Sequence, residues 1–200
     1  MISEVNEPDL EYGGLYSYAD YLMWTIEERF ELIKGKVFKM SGPNRVHQEI
    51  SGAIFNQLYN FLKGQKCKVY AAPFDIRLPR KSKKDKDIIT VLQPDVCVIC
   101  DQEKLDYRGC VGAPDIVVEI LSPGNNAKEL HNKYEVYEES GVKEYWIVSP
   151  QNKTFFCYTL IEGKFVPSRL LTSGDIVTST VLIGFSIDLT EMFDLINVEQ

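Results

Sequence analysis

The sequence lacks long apolar segments. No apolar run in its 200 residues approaches the ~20 that a helix needs to cross a bilayer. The first residues, MISEVNEPDLEYGG, are acidic and lack the positive segment and apolar stretch of a secretory signal peptide. We therefore expect a cytoplasmic protein that folds as one domain over residues 1–200, with a poorly ordered lead-in at 1–14 and a core at about 30–150.

The sequence also lacks the basic surplus of most proteins that bind nucleic acid tightly. Its formal net charge is -7, whereas neutralising phosphates requires an excess of lysine and arginine. Any contact with nucleic acid must therefore be local, weak or assisted by metal ions. The one dense basic run, RKSKKDK at 80–86, is typical of a solvated loop and would also suit a loop that contacts phosphates.

A second Cys-x-x-Cys pair is absent as well, which argues against a zinc site at Cys97 and Cys100. These two residues lie in a predicted strand, where side chains three apart point to opposite faces. The five cysteines are an odd number in a chain without a secretion signal, which predicts reduced thiols. We therefore interpret Cys97 and Cys100 as buried structural thiols.

Apolar periodicity and turn residues predict the secondary structure. Ser17 and Asp20 have the spacing of a capping box that opens a short helix, and Lys34-Gly35 centres a β-hairpin over 30–40. Further helices are predicted at about 46–63, closed by Gly64, at about 127–140 and at 189–196. Strands are predicted at 68–78, 91–100, 115–121, 144–149 and 181–185, with a turn at 122–126 and a second hairpin around Glu162-Gly163.

The order of these elements predicts the fold class. Between the terminal hairpins the chain runs helix, strand, strand, strand, helix, strand. A strand–helix–strand unit forms a right-handed crossover, which places a parallel pair inside a mixed sheet. We expect an α/β (α+β) sandwich, with a mixed sheet flanked by helices, an exposed sheet edge and additional N- and C-terminal hairpins.

Two of the apolar strands carry acids that could form a metal site. Asp95 shares a strand face with Cys97, and Glu119 shares one with Val117. If the strands are neighbours, the two carboxylates converge, and they repel each other unless a proton or a cation lies between them. Oxygen ligands of this kind suit Mg²⁺ or Mn²⁺, and the main-chain carbonyl of Ile120 is a plausible further ligand.

The helix at 127–140 supplies the complementary charge. Lys133 borders its inward stripe of Leu130, Tyr134, Tyr137 and Gly141, whereas Lys128 points to the opposite side. An ammonium group aimed at the carboxylates could orient an attacking water or stabilise charge that develops on a phosphorane.

Several other polar residues have both a structural and a functional interpretation. Asp115 suits a turn as well as a site, and His47 on an apolar stripe suits a hydrogen-bonded core position as well as catalysis. Glu31 fits a hairpin carboxylate and could reach the edge of the site, and Asp75 has the same ambiguity. Glu119 differs because IVVEIL offers it no local partner, and buried acids of this kind cluster at functional sites.

Several separated motifs resemble those of a known family. FELIKGKVFKMSGP with VHQEI, then PDVCVICD, GAPDIVVEILSPGN and KYEVYEESGVKEYWIVSP, are similar to the Uma-two family of restriction-endonuclease-like proteins. Pro94-Asp95 followed by Glu119-Ile120-Leu121 also resembles the PD-(D/E)XK motif of the wider nuclease superfamily. The likeness runs from about Phe30 to Pro150 in the order of the family.

The resemblance implies a restriction-endonuclease-like fold and a Mg²⁺- or Mn²⁺-dependent endonuclease that hydrolyses DNA. Asp95 and Glu119 would be the metal carboxylates. Leu121 stands where the superfamily has its lysine, and Lys133 on the following helix fits the position to which related branches have moved it. His47 would line the cleft.

The resemblance also leaves other functions and an assembly open. A catalytically silent binding or scaffold module that keeps the fold is the alternative. A third possibility, a small-molecule hydrolase that uses the same acids, is less favoured because the sequence contains no nucleophile motif such as Gly-x-Ser-x-Gly. Many nucleases of this fold dimerise, and the apolar tail at 181–196 with the exposed hairpins would serve as a homodimer surface.

Overall fold

The computed structural model describes residues 14–25, 28–122 and 127–196, and the side chains of 127–129 lie outside that description. The expected lead-in, except for Gly14, therefore lies outside the described residues. So do the predicted turn after Ser122 and the side chain of Lys128.

The helices begin and end close to the predicted positions. They are α1 (Tyr18–Tyr21), α2 (Arg45–Leu62), α3 (Ala127–Ser140) and α4 (Leu189–Asp194). The predicted capping box opens α1, because Ser17 and Asp20 exchange side-chain and backbone hydrogen bonds. Asn44 caps α2, since its side-chain oxygen accepts the His47 N–H at 2.8 Å. This helix ends one residue earlier than predicted, and Gly64 follows with a φ of 80°.

The strands are short, and in chain order they are β1 (Phe30–Ile33), β2 (Lys36–Lys39), β3 (Lys68–Ala71), β4 (Ile76–Arg77), β5 (Val91–Leu92), β6 (Val96–Ile99), β7 (Leu105–Asp106), β8 (Gly109–Val111), β9 (Ile116–Ile120), β10 (Glu144–Ser149), β11 (Thr154–Ile161), β12 (Lys164–Pro167), β13 (Leu171–Thr172), β14 (Ile176–Thr178) and β15 (Ser186–Asp188). Single 3₁₀ turns lie at Asp85–Asp87 and Gln102–Lys104. Both predicted hairpins form, at β1–β2 and β11–β12, and their turns hold Lys34 and Glu162 at positive φ before a glycine.

Two main sheets are present. The central sheet has the order β12-β11-β10-β9-β6-β3, with β13 also paired to β11, and the second sheet has the order β2-β1-β5-β4-β8-β7. As predicted, the crossover through α3 makes β9 and β10 parallel inside a mixed sheet. A separate pair, β14–β15, precedes α4.

The predicted strands at 68–78 and 91–100 are wrong as single elements. The first divides into β3 and β4, separated by a cis Ala72–Pro73 bond, and the second divides into β5 and β6. In each case one half joins the central sheet and the other half joins the second sheet. The chain therefore crosses between the sheets at 72–75 and at 93–95, and these crossings carry polar residues.

The predicted strand at 181–185 is also wrong. This segment is a turn with Gly184 at a φ of 88°, and the strand that follows it is β15. Leu182 and Phe185 are nevertheless buried, because the turn itself packs into the core.

The central sheet separates two apolar layers. Alternate side chains such as Val96 and Val118 pack against α2 and α4 on one face. Cys97, Val117 and Tyr145 face the opposite layer, which contains α3 and part of the second sheet. Glu119 is two residues from Val117 and so lies on the α3 face, which explains its access to that helix.

The prediction of reduced thiols is wrong for two cysteines. Cys67 and Cys100 form a disulfide, because the pairing of Lys68 with Ile99 places them opposite each other at the ends of β3 and β6. Cys97, Cys110 and Cys157 are free and buried. In the described part of the chain, no helix has both the length and the apolar character to span a membrane.

Candidate functional site

Glu119 lies at the centre of a buried polar cluster between β9 and α3. Both of its carboxylate oxygens are 3.1 Å from Lys133 Nζ, and the Tyr137 hydroxyl donates a hydrogen bond to Oε1 at 2.8 Å. Lys133 and Tyr137 are four residues apart, so they lie on the same face of α3. Exposed fractions of 7% for Glu119 and 4% for Lys133 show that this contact is shielded from solvent.

Glu31 of β1 is the second acid of the cluster. It is fully buried, its Oε2 lies 3.0 Å from Lys133 Nζ, and its Oε1 accepts the Gln93 N–H at 2.8 Å. The sequence did not decide whether Glu31 is a structural carboxylate of the hairpin or a residue at the edge of the site. The signal that identifies it is the one that singled out Glu119, namely an acid inside the short apolar strand FELI.

The cluster contains two carboxyl groups and one ammonium group. Burial raises the pKa of Glu119 to about 8, and the nearby carboxylates of Asp95 and Glu31 add to this effect, while Lys133 opposes it. Burial by itself would lower the pKa of Lys133, but Glu119 and Glu31 hold it well above its usual range. Lys133 is therefore charged, and two buried acids share this one cation.

Asp95 lies in the crossing between β5 and β6 and faces different partners. Its Oδ2 accepts the Ile120 N–H at 2.7 Å and lies 3.1 Å from His47 Nε2. The prediction that His47 lies on the buried stripe of α2 is confirmed, since it is 7% exposed. Its Nδ1 is buried and has no hydrogen-bond partner among the described residues.

The structure brings Asp95 and Glu119 to adjacent positions but divides their contacts. Val96 pairs with Val118 across β6 and β9, and one more step of this register places Asp95 opposite Glu119. The Glu119 carboxylate faces α3, whereas Asp95 contacts the N-terminal part of α2. The backbone of Ile120, which follows Glu119 and donates to Asp95, joins the two groups.

A cleft of about 120 Å³ opens beside Asp95. Its lining includes Arg29, Met40, His47, Ser51, Ala72 and Asp95. Glu119 and Lys133 are absent from the part of this lining that the structure describes. The predicted residues therefore form two connected parts, a pair of Asp95 and His47 that lines the cleft and a buried cluster around Glu119 that does not.

The donor set fits a hard divalent cation. Among the described residues, no group of three or more His, Cys, Asp or Glu is placed to hold a metal ion. Mg²⁺, however, commonly binds one or two protein carboxylates and completes its octahedron with waters and substrate phosphates. The carboxylates of Asp95 and Glu119, with the Ile120 carbonyl, are donors of this kind, and a bound cation would favour the ionised form of Glu119.

The remaining candidate acids have structural partners. Asp115 accepts the Cys100 N–H at 2.7 Å and lies 2.6 Å from Lys143 Nζ, so it joins the start of β9 to the end of β6. Asp75 accepts hydrogen bonds from Gln93 at 2.8 Å and Tyr18 at 3.2 Å, and burial raises its pKa. The basic run at 80–86 follows β4 and contributes no residue to the described lining of the cleft.

Comparisons with known proteins identify relatives of this chain. A family model described as "Uma2: Putative restriction endonuclease" matches residues 18–190. An uncharacterized protein of Synechocystis sp., slr1290, is 26% identical over 176 residues, which cover 86% of this chain and 89% of that protein.

A solved structure from Anabaena variabilis, described as "a putative nuclease belonging to DUF820", has a TM-score of 0.71 at 17% identity. The match covers 90% of this chain and 98% of that one. At this identity the likeness concerns the fold alone, and it confirms the predicted fold class.

Proposed function

The chain belongs to the Uma2 family, and we propose that it is a metal-dependent endonuclease that hydrolyses phosphodiester bonds in DNA. The observation that carries this proposal is the contact of Lys133 Nζ with Glu119 at 3.1 Å. Leu121 occupies the motif position of the catalytic lysine, yet a lysine from α3 reaches the same carboxylate.

Each residue has a role that follows from its contacts. Asp95, Glu119 and the Ile120 carbonyl would hold Mg²⁺ or Mn²⁺, which when bound polarises the phosphodiester and offsets the acidic charge of the site. Lys133 orients the attacking water and stabilises the charge that develops on the phosphoryl oxygens. His47, 3.1 Å from Asp95, holds that carboxylate at the cleft.

Nicking of supercoiled plasmid and cleavage of single-stranded DNA, with Mg²⁺, with Mn²⁺ and with EDTA, test this function. Glu119→Ala and Asp95→Asn should abolish metal-dependent cleavage, and Glu191→Gln, an acid of α4 far along the chain from the cluster, serves as the control. Cleavage that persists undiminished in Glu119→Ala would show that the activity belongs to another site or to a contaminant.

One observation favours a second candidate, a binding or scaffold module that keeps the nuclease fold. Glu119 and Lys133 are buried and satisfy each other, and the lysine position of the strand motif is Leu121. A silent module would bind DNA with the same affinity in Glu119→Gln and would cleave none in any metal. The plasmid assay combined with a binding assay separates the two functions.

Further features of the proposal concern location and assembly. We further propose that the protein is cytoplasmic and that it forms a homodimer, in which two sites would meet the two strands of a duplex. Most apolar residues of the tail at 181–196 pack into the core of their own chain. Ile183 in the tail and Ile176 in β14 are exposed apolar side chains, at 82% and 61%. A solution mass equal to that of the monomer at micromolar protein concentration would contradict the proposed dimer.

A further inference from the structure

The arginines differ in their partners. Of the six in the sequence, five form ion pairs with carboxylates: Arg45 with Glu49, Arg77 with Asp106, Arg80 with Glu139, Arg108 with Asp85 and Arg169 with Asp175. Arg29 is the exception. Within the described ranges, no carboxylate lies at ion-pair distance from its guanidinium, and its hydrogen bonds go to a neutral amide.

Gln93 holds the Arg29 guanidinium. Arg29 Nε and Nη2 donate to Gln93 Oε1 at 3.0 and 2.6 Å. The amide itself is fixed, because its Nε2 donates to Asp75 at 2.8 Å and to Tyr21 at 3.1 Å. Gln93 is 6% exposed, so the residue that holds Arg29 is itself buried. The two hydrogen bonds use Nε and Nη2 of the guanidinium, and Nη1 has no hydrogen bond to any residue in the described part of the chain.

Arg29 lines the same cleft as Asp95. Among the described residues of that lining there is no lysine and no second arginine. In a chain with a formal net charge of -7, a phosphate that approaches Asp95 needs a cation close by. A guanidinium suits this task because its planar donors match the oxygens of a phosphate group, and it is always charged.

We propose that Arg29 binds a backbone phosphate of the nucleic acid in the cleft, next to the phosphodiester that is cleaved, and that Gln93 positions its guanidinium. This inference rests on the proposed function and adds the residue that binds the substrate. The neutral amide restrains Arg29 without cancelling its charge, whereas a carboxylate partner would compete with the phosphate.

Binding of a fluorescein-labelled single-stranded oligonucleotide, measured by anisotropy in Ca²⁺ between 50 and 200 mM salt, tests the contact directly. Arg29→Gln should weaken binding about ten- to a hundredfold, as expected for loss of a charge-assisted contact. Its plot of log affinity against log salt should be shallower by about 0.7, the loss of one phosphate contact on a single strand. Arg29→Lys should keep the slope and lose part of the affinity.

The matched control is Arg169→Gln, which removes the same charge from an arginine that is 69% exposed and absent from the described lining of the cleft. It should leave affinity and slope unchanged within about twofold. In the cleavage assay, Arg29→Gln should raise KM with little change in kcat, since the contact is present in both the ground state and the transition state. Gln93→Met should produce a smaller shift in KM of the same kind.

The outcomes separate this inference from the proposed function. If the wild type cleaves DNA and Arg29→Gln has unchanged affinity, salt slope and KM, the role of Arg29 is overturned and the proposed nuclease activity stands. Arg29-dependent binding without cleavage in any metal would support the phosphate contact and overturn hydrolysis. Neither binding nor cleavage by the wild type would overturn both. If Arg29→Gln unfolds, as its melting temperature would show, Arg29→Lys decides through its affinity and KM.

Discussion

The buried cluster around Glu119 and the cleft pair of Asp95 and His47 are neighbours, since Asp95 and Glu119 are opposite each other across β6 and β9, yet the charged groups in the two places have different surroundings. Inside, the carboxyl groups of Glu31 and Glu119 share one lysine with little access to solvent, so the charge of each group depends on the other two. At the cleft, Asp95 has a backbone N–H and a histidine, and solvent can screen its charge. The comparison indicates that the cluster contributes to stability and chemistry together, whereas the cleft contributes mainly to chemistry.

Lys133→Met should have the largest effect. It leaves Glu31 and Glu119 buried without a cation, and breaking a buried ion pair on one side costs about 3–5 kcal/mol of unfolding free energy. Cleavage should fall by at least about a hundredfold, as for loss of a single charge-stabilising donor. Urea denaturation and plasmid nicking measure the two effects.

Lys39→Met is the matched control, since Lys39 pairs with Glu28 and both side chains are exposed, at 55% and 37%. An exposed lysine contributes about 0–1 kcal/mol. If the two variants lose equal stability, the distinction between the cluster and a surface ion pair is wrong.

The stability of the metal-free protein should depend on pH through Glu119. Its pKa is raised from 4.5 to about 8, mainly by burial. Below pH 4.5 the carboxyl is protonated in both the folded and the unfolded chain, and its contribution is complete. As the pH rises toward 8, the unfolded chain ionises first, so unfolding free energy declines by at most about 1.4 kcal/mol per pH unit.

Urea midpoints in EDTA from pH 5 to pH 8.5 measure this decline, and Glu119→Gln should flatten it. Mg²⁺ should favour the ionised carboxyl and restore stability at the alkaline end. An equal slope in the wild type and in Glu119→Gln would assign the pH dependence to other groups.

His47→Ala should have a smaller effect on stability than Lys133→Met and a clear effect on activity. It removes the contact of Nε2 with Asp95 at the cleft, and we expect about tenfold slower cleavage, the scale of an orienting contact to a metal ligand. Unfolding free energy should fall by about 1–3 kcal/mol, the usual range for a single substitution of this kind. Glu49→Ala, on the same helix and paired with Arg45, serves as the control in both measurements. A loss of stability equal to that of Lys133→Met would contradict the comparison.

Local signals predicted much of this architecture. The hairpin around Lys34-Gly35 and helix α3 follow from turn chemistry and apolar periodicity, which act within a few residues. Glu119 was identifiable because an acid in an apolar strand needs a distant partner. The same reasoning placed Lys133 beside the inward face of α3, where the structure has it in contact with Glu119.

Other features depend on long-range pairing that no local pattern encodes. Strands of two residues, such as β4 and β5, are too short to show a period, so the crossings between the sheets were missed. The disulfide between Cys67 and Cys100 follows from strand register alone. The approach of Glu31 to Lys133 requires β1 to lie under α3, which is a property of the whole fold.

The two crossings between the sheets have a consequence for insertions and deletions. Residues 72–75 and 93–95 join a strand of one sheet directly to a strand of the other, so a change in their length alters the spacing of both sheets at once. Asp75, Gln93 and Asp95 would all be displaced by it. The loop at 78–90, at the far end of β4 and β5, can vary in length without this effect. Length variation should therefore be absent from the two crossings and concentrated in that loop.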